Sequence, residues 1–562
     1  MCSATPGRAR HVRSALAACL LGAIAGGPAT AAVDHADDIC APTANPCVVT
    51  APIEVLSGTT LDFGVRELRI AAGGQVDVGS GAVEILSGPF NAQTPGEVAI
   101  KARGPSGTGG QDGGSLALRV RGRCSDDPSH PCLEHEDCSA GTCDTTGRLS
   151  LLGRIEAQGD TPATLFIEAS GDVILGEDID IDSTNADNDG GELDVISHLG
   201  SVFLAGRVEA TAGRNATGGI VTIRAGGRVS IGGLVDASGG DFDGGELDVT
   251  AGGDVTVSGT VRVDATNGEG AGGFVGLEAG ETLRLTSTAA LSANGHRSAE
   301  NFGGDGGTYF LTAGESLSIE AGATLDGDGA RPDAAAGTVD MLAGAAVTIA
   351  GDIALIARGP QGVGGSVAAS ACEITISAGG SITNGGEGGE NVLTAAATLS
   401  IASGAVLSAD TSTGLNLLRH RSATEPPTVL GTVTPAAQIE LLPSIEPCAF
   451  GSTTTTTLPA DCGNGSLDVG EDCDDGDTSF VRGDSCDAAC NRVACGDPDD
   501  SGAVNATDAL VVLRVAVGIE DCDLCVCNVD SVGTFTSASD ALRVLNAAVG
   551  LPAPLTCPTC AD

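Results

Sequence analysis

The chain has 562 residues, with 85 Gly, no Trp and a single Tyr, and is 41% hydrophobic against 18% charged. It is too long for one ordinary core, too apolar for a disordered chain and too poor in aromatics for a conventional globule, which leaves a repeat array. The 27 Lys and Arg against 74 Asp and Glu give a net charge of −47, with Lys101 the only lysine, so the surface repels nucleic acid and anionic lipid and takes divalent cations as counterions.

In chain order, residues 1–32 read as an export signal. Arg8, Arg10 and Arg13 precede the apolar stretch SALAACLLGAIAG, and ATAA before Val33 supplies small residues for cleavage. Cys19, after Leu-Ala-Ala, also fits a lipoprotein cleavage box, although the apolar run continues past it to Ala25. No later segment reaches the ~18 unbroken apolar residues of a membrane span. The mature chain is therefore expected to be secreted, extracellular or held at the cell surface. Removing the signal takes Cys2 and Cys19 from the total of 20 cysteines and leaves 18.

Residues 33–448 carry a repeat. DGGELDV at Asp189 to Val195 returns at Asp243 to Val249, with TGGIVTI at Thr217 to Ile223 between them. The marker glycines are Gly191, Gly219, Gly245, Gly273, Gly307, Gly337, Gly365 and Gly389, at steps of 24 to 34 residues. Inside one coil, Leu247 and Val249, Val255 and Val257, then Val261 and Val263 alternate with polar neighbours and mark three short strands. Equivalent positions one coil back hold Val221, Ile223, Val229, Ile231 and Val235, and two coils back Leu193, Val195, Val202, Leu204 and Val208. Glu246, Asp248, Thr256 and Arg262 are expected to face water.

Aliphatic residues stacked on aliphatic residues at this period predict an all-β fold, a right-handed parallel β-helix of about 28 residues per coil. About a dozen coils, each adding ~4.8 Å, make a rod on the order of 60 Å long. The glycines are expected to allow positive φ at the corners, and the narrow bore accounts for the lack of aromatics. Cys40 and Cys47 are placed to cap the start, where an open β edge would otherwise recruit other chains, and Cys372 with Cys448 to clamp the finish. The stretch from Cys124 to Cys143 breaks the period and reads as a disulfide-closed insert with Cys132 and Cys138. A zinc site using His130 or His135 is the alternative there.

Residues 449–461, Thr-rich, form a linker. From Cys462 to Cys490 the motifs CGNG, GEDCDDG and GDSC surround Cys462, Cys473, Cys486 and Cys490. This segment, 462–495, closely resembles the myxococcal cysteine-rich repeat of secreted bacterial proteins, which implies an extracellular spacer or contact module. Asp472, Asp474, Asp475 and Asp477 offer Ca²⁺ ligands there, with an acidic turn held by disulfides as the alternative.

Residues 496–562 open on GDPDDSGAVNATDALVVLRVAVG. Counting from Asp497, oxygens fall at Asp497, Asp499, Ser501, the Ala503 carbonyl, Asn505 and Asp508 around Gly502, an arrangement suited to the six to eight oxygens Ca²⁺ takes around a tight bend. An amphipathic helix follows, and the unit returns 32 residues later as DALRVLNAAVG. In the second loop Asn528 and Asp530 suit the first and third positions. Val532 brings no oxygen, and Asp540 arrives one residue late. A tandem pair of calcium loops, each leading into a helix, resembles a dockerin domain. That resemblance implies Ca²⁺ as cofactor, docking on a cohesin-like or other surface protein, and partner contact through Ala506 and Thr507. Cys495, Cys522, Cys525, Cys527, Cys557 and Cys560 are read as disulfide staples of this small module rather than as a zinc ribbon.

Two functions remain. One is a non-catalytic surface, adhesive or scaffold-docked rod; the other is a polysaccharide lyase or glycoside hydrolase on the β-helix, attached through its dockerin. An enzyme would use clustered carboxylates or a base, and acidic runs occur at GEDIDIDSTNADNDGG, from Gly176, and GGDFDGG, from Gly239, expected at coil corners. The seven histidines are scattered, and no Ser-His-Asp set, HExxH or phosphate loop stands out. Tyr309 with Phe302 and Phe310 is the only local aromatic cluster, a thin platform for sugar. The rod is the first reading, since fold alone does not assign chemistry.

Overall fold

The structure is a computed structural model. It describes residues 32–104, 112–139, 141–296, 303–330, 333–357, 361–410, 413–421 and 426–442, and then 473, 485–486, 490, 492–498, 504–516, 522–530, 535–548, 551 and 553–558. Residues 1–31 of the segment read as an export signal, the Thr-rich segment 449–461, most of the segment 462–495 read as a cysteine-rich repeat, Phe302, Cys448, Cys462 and Cys560 lie outside the described residues. The chain divides into two compact units, Met1–Phe450 and Gly451–Asp562.

The first unit is a parallel β-solenoid. A representative turn has one long strand, Glu246–Ala251, and two short ones, Val255–Val257 and Thr260–Arg262. Each lies parallel and in register on its counterparts in the turns before and after. Among the described residues, the sheet built from the last strand of each turn stacks 14 strands. The expected columns form as read: Leu193, Val221 and Leu247 stack on one face, Val202, Val229 and Val255 on the next, Val208, Val235 and Val261 on the third. All are buried in one core running from Ala36 to Leu418. Glu246 and Arg262 are exposed, while Asp248 and Thr256 are half-buried.

Glycines with positive φ do occur at corners of the solenoid, but the marker glycines do another job. None of Gly191, Gly219, Gly245 or Gly273 has positive φ, a conformation found instead at positions such as Gly268 and Gly322. A Cβ on Gly219 would lie 2.2 Å from the Gly191 carbonyl oxygen, one on Gly245 2.1 Å from that of Gly219, and one on Gly273 2.0 Å from that of Gly245. The residue is required because successive coils touch backbone to backbone at this corner. Asp189 and Asp243, just before two of these pairs, accept hydrogen bonds from the backbone N–H of Thr217 and Ala271 one coil on, at 2.9 and 3.0 Å.

At its start the core is covered by the short helix Ala36–Ile39, held by the Cys40–Cys47 disulfide and by Arg66, which donates to Asp37 at 3.1 Å and to the Ala41 carbonyl at 3.0 Å. Toward the other end the interior column changes from Val339 and Val367 to Asn391 and Asn416. Asn391 Nδ2 donates to Asn416 Oδ1 at 2.8 Å and to the Ser408 carbonyl at 3.0 Å, and Asn416 Nδ2 donates to the Pro435 carbonyl at 2.7 Å. Both side chains are wholly buried, so the amides pair with one another and with backbone where aliphatics would otherwise fill the bore. Cys372 is disulfide-bonded.

The 124–143 insert is a small hairpin, Gly122–Arg123 against Pro131–Cys132, closed by Cys124–Cys138 and Cys132–Cys143. With the sulfurs in disulfides the zinc alternative loses its thiolates, and His135 Nδ1 accepts the Cys143 N–H at 3.0 Å. The second unit packs the helices Ala506–Ala516 and Ala538–Ala548 through Ala509, Val512, Ala541 and Val544. Disulfides Cys473–Cys486, Cys495–Cys557 and Cys522–Cys527 staple it, and Cys490 and Cys525 are also disulfide-bonded.

Candidate functional site

Among the described residues, oxygen ligands gather in the loops that lead into the two helices of the second unit and in one column of carboxylates on the solenoid.

The helices begin alike. Asp508 and Asp540 are each the third residue of their helix and each is wholly buried. Asp508 Oδ2 accepts the Asn505 N–H at 2.7 Å, and Asp540 Oδ2 accepts the Ser537 N–H at 2.9 Å. The two aspartates are therefore equivalent in the fold, and the extra residue before Asp540 is taken up ahead of the helix. In the first loop Asp497 is buried and Asn505 half-buried. Asp499, Ser501 and Ala503 lie outside the described residues, as do the side chains of Ala506 and Thr507.

In the second loop Asp540 also takes the Ser537 hydroxyl at 2.8 Å and, through Oδ1, the Asp530 N–H at 3.1 Å. Arg543 lies 3.9 Å from the Asp530 carboxylate. Asn528 and Thr536 are buried, and among the described residues Asn528 Oδ1 and Thr536 Oγ1 have no hydrogen-bond partner. A buried oxygen without a donor costs about 1–3 kcal/mol. Oxygens of this kind, in a loop that leads to a buried carboxylate, fit a hard cation such as Ca²⁺. Thr536 escaped the sequence reading although it stands at the ninth position counted from Asn528, where a calcium loop carries an oxygen.

On the solenoid, Glu156, Asp180, Glu209 and Asp236 stack in register on the sheet of last strands, flanked by Lys101 and Arg262. Asp180 was expected at a solvated corner. It belongs to the strand Ile179–Asp180, and burial, then the neighbouring Asp182, Glu209 and Glu156, push its carboxyl up to about 6. Burial likewise raises Asp182, Glu209 and Asp264. The column can hold a proton at mildly acidic pH or attract cations. Of the residues in GGDFDGG, Asp243 is the backbone staple already described, and Asp241 lines a shallow hollow with the exposed Phe242 and Glu269.

Tyr309 is wholly buried in the aliphatic column between Val275 and Val339, with its hydroxyl donating to the Asp326 carbonyl at 2.6 Å. It forms no platform with Phe310, which points outward. Comparison with protein-family models, with curated proteins and with solved structures finds no match to the chain.

Proposed function

We propose that the protein is an exported, non-catalytic β-solenoid rod of the extracellular or cell-surface kind, carrying a calcium-stabilised, dockerin-like docking module at its C-terminal end. Its disulfides support an oxidising compartment. The observation that carries the module is the burial of Asn528 Oδ1 and Thr536 Oγ1, neither with a hydrogen-bond partner among the described residues, in the segment that leads to the buried Asp540. Ca²⁺ would be held by Asp497, Asp499, Ser501, the Ala503 carbonyl, Asn505 and Asp508 in the first loop and by Asn528, Asp530, Thr536 and Asp540 in the second, supplying the positive charge these oxygens want. The two helices expose Leu510 and Leu513, and Leu542 and Leu545, at equivalent positions. These leucines suit an apolar contact with a cohesin-like or other surface protein.

Calorimetric titration of the full mature chain with Ca²⁺ tests this reading. Saturable binding is expected, weakened by Asp508→Ala and by Asp540→Ala. An isotherm that neither substitution changes removes the module from the proposal.

The acidic column favours a second reading, a polysaccharide lyase or glycoside hydrolase, because a carboxyl held near 6 beside other carboxylates is suited to general acid work. Release of new sugar ends from a polysaccharide panel, lost in Asp180→Asn, would establish that reading over the rod.

A further inference from the structure

Aromatic side chains are scarce in this chain, with 11 Phe and one Tyr in 562 residues. An aromatic pair on the outer face of a sheet therefore calls for an account. Phe274 and Phe310 stand on the outer surface of the long-strand sheet in consecutive coils, with ring centroids 5.7 Å apart and planes tilted by 42°. Phe310 is 46% exposed. It lies in register with Gly276, and a Cβ on Gly276 would sit 2.9 Å from Phe274 Cε1, so the Phe274 ring leans over the space that the glycine leaves. The two rings cover two rungs as one apolar shelf.

Carboxylates bound the shelf at both ends along the rod. Asp248 is in register with Gly276 on one side, and Asp340 with Phe310 on the other. Among the described residues no hydrogen bond or ion pair reaches the Asp340 carboxylate, and burial alone raises its pKa. The hydroxyls of Thr308 and Thr338, 3.2 Å apart, flank the rings. Phe274 and Thr308 also close one end of a shallow groove of about 740 Å³ that continues along the coil corners past Glu246 and Ile220.

We propose that this shelf binds a neutral hexose polysaccharide lying along the rod, with Phe274 and Phe310 stacked on sugar faces and Asp248 and Asp340 accepting from sugar hydroxyls. A pyranose presents an apolar C–H face and a rim of donors, which matches an apolar surface with acceptors at each end. Three rungs separate the two carboxylates, ~14 Å, room for a short run of sugar units along the axis. The net charge of −47 disfavours acidic glycans. A protein partner is a poorer match, since two rings offer far less than the ~800 Å² per side of a stable interface. The inference concerns the solenoid alone and does not rest on the calcium module.

The test is titration of the full mature chain with soluble mixed-linkage β-glucan, xyloglucan and galactomannan, with polygalacturonate as the anionic control. At least one neutral polymer is expected to bind, Phe310→Ala to weaken it by about tenfold or more, and Asp340→Asn by several-fold, with unchanged melting. Because Phe274 also covers Gly276, the more exposed Phe310 carries the result. Binding to none of the three polymers, binding indifferent to Phe310→Ala, or polygalacturonate binding equally well would each overturn the proposal.

Discussion

Asp180 and Glu209 stand in register on adjacent coils, so two carboxylates of one column lie about one strand spacing, ~4.8 Å, apart. Neither can lose its proton without regard to the other, and burial adds to the cost. Asp180, held up to about 6 against the ordinary aspartate value of 3.8, keeps its proton in the folded state over a range where the unfolded chain has lost it. Stability therefore declines as pH rises from about 4 through about 6. Asp180→Asn is expected to raise the neutral-pH stability by on the order of 1–2 kcal/mol after solvent screening, and to flatten the acid side of the curve. His198, raised by its 2.9 Å contact with Glu168, loses its contribution as pH climbs through its own pKa, which is the same direction. The difference between the variant and the parent in thermal melts at pH 5 and pH 7.5, not the parent curve alone, decides the point.

Gly219→Ala is expected to cost about 3 kcal/mol or more, because the new Cβ meets the Gly191 carbonyl at 2.2 Å and neither backbone can retreat without moving its coil. Gly232→Ala is the control: its Cβ finds nothing nearer than Ser258 Oγ at 3.6 Å, and a change within about 1 kcal/mol is expected. Equal urea midpoints for the two variants would contradict the stacking account.

Val257 is wholly buried between Ile231 and Leu285. Val257→Asp places an unpaired charge in the bore and is expected to abolish the cooperative melt of the rod, followed by circular dichroism. Retention of the parent's melting would mean that the strand register is wrong.

Asn391→Ala strips Asn416 Oδ1 of its 2.8 Å donor and opens a cavity, an expected loss of about 2–4 kcal/mol. Replacing both Asn391 and Asn416 by Leu removes the polar pair together but also takes a donor from the Ser408 and Pro435 carbonyls, so only part of that loss is expected to be recovered. Chemical denaturation of the single and double variants separates hydrogen bonding from filling.

Thr536→Val keeps the shape of the side chain and deletes its buried oxygen. Without calcium the change is expected to be neutral or slightly stabilising, since among the described residues that oxygen has no hydrogen-bond partner. With calcium the variant is expected to gain less in melting temperature than the parent does. An identical calcium response in parent and variant would make Thr536 purely structural.

The stacking of Leu193, Val221 and Leu247 was legible because alternation along a strand and recurrence every 28 residues or so are both written in one dimension. Side-chain parity, which sends Tyr309 inward and Phe310 outward, was equally available there and was overlooked. Phe274, the actual neighbour of Phe310, could not be found by local search because it lies one full coil away. The role of the marker glycines is not legible in one stretch of chain for a related reason: what forbids a Cβ at Gly219 is the Gly191 carbonyl of another coil.

The sequence alone thus determined the period, the three strands of each coil, the residues that fill the bore and the repeated oxygens of the two loops, since these follow from local pattern and residue chemistry. Only the tertiary structure decided which carboxylates share a column, which amides meet inside the rod, which oxygens of the second loop lack a donor and which rings form a shelf. Those relationships depend on how neighbouring coils and helices register against one another, and burial and dielectric environment are properties of that packing rather than of any single stretch of chain.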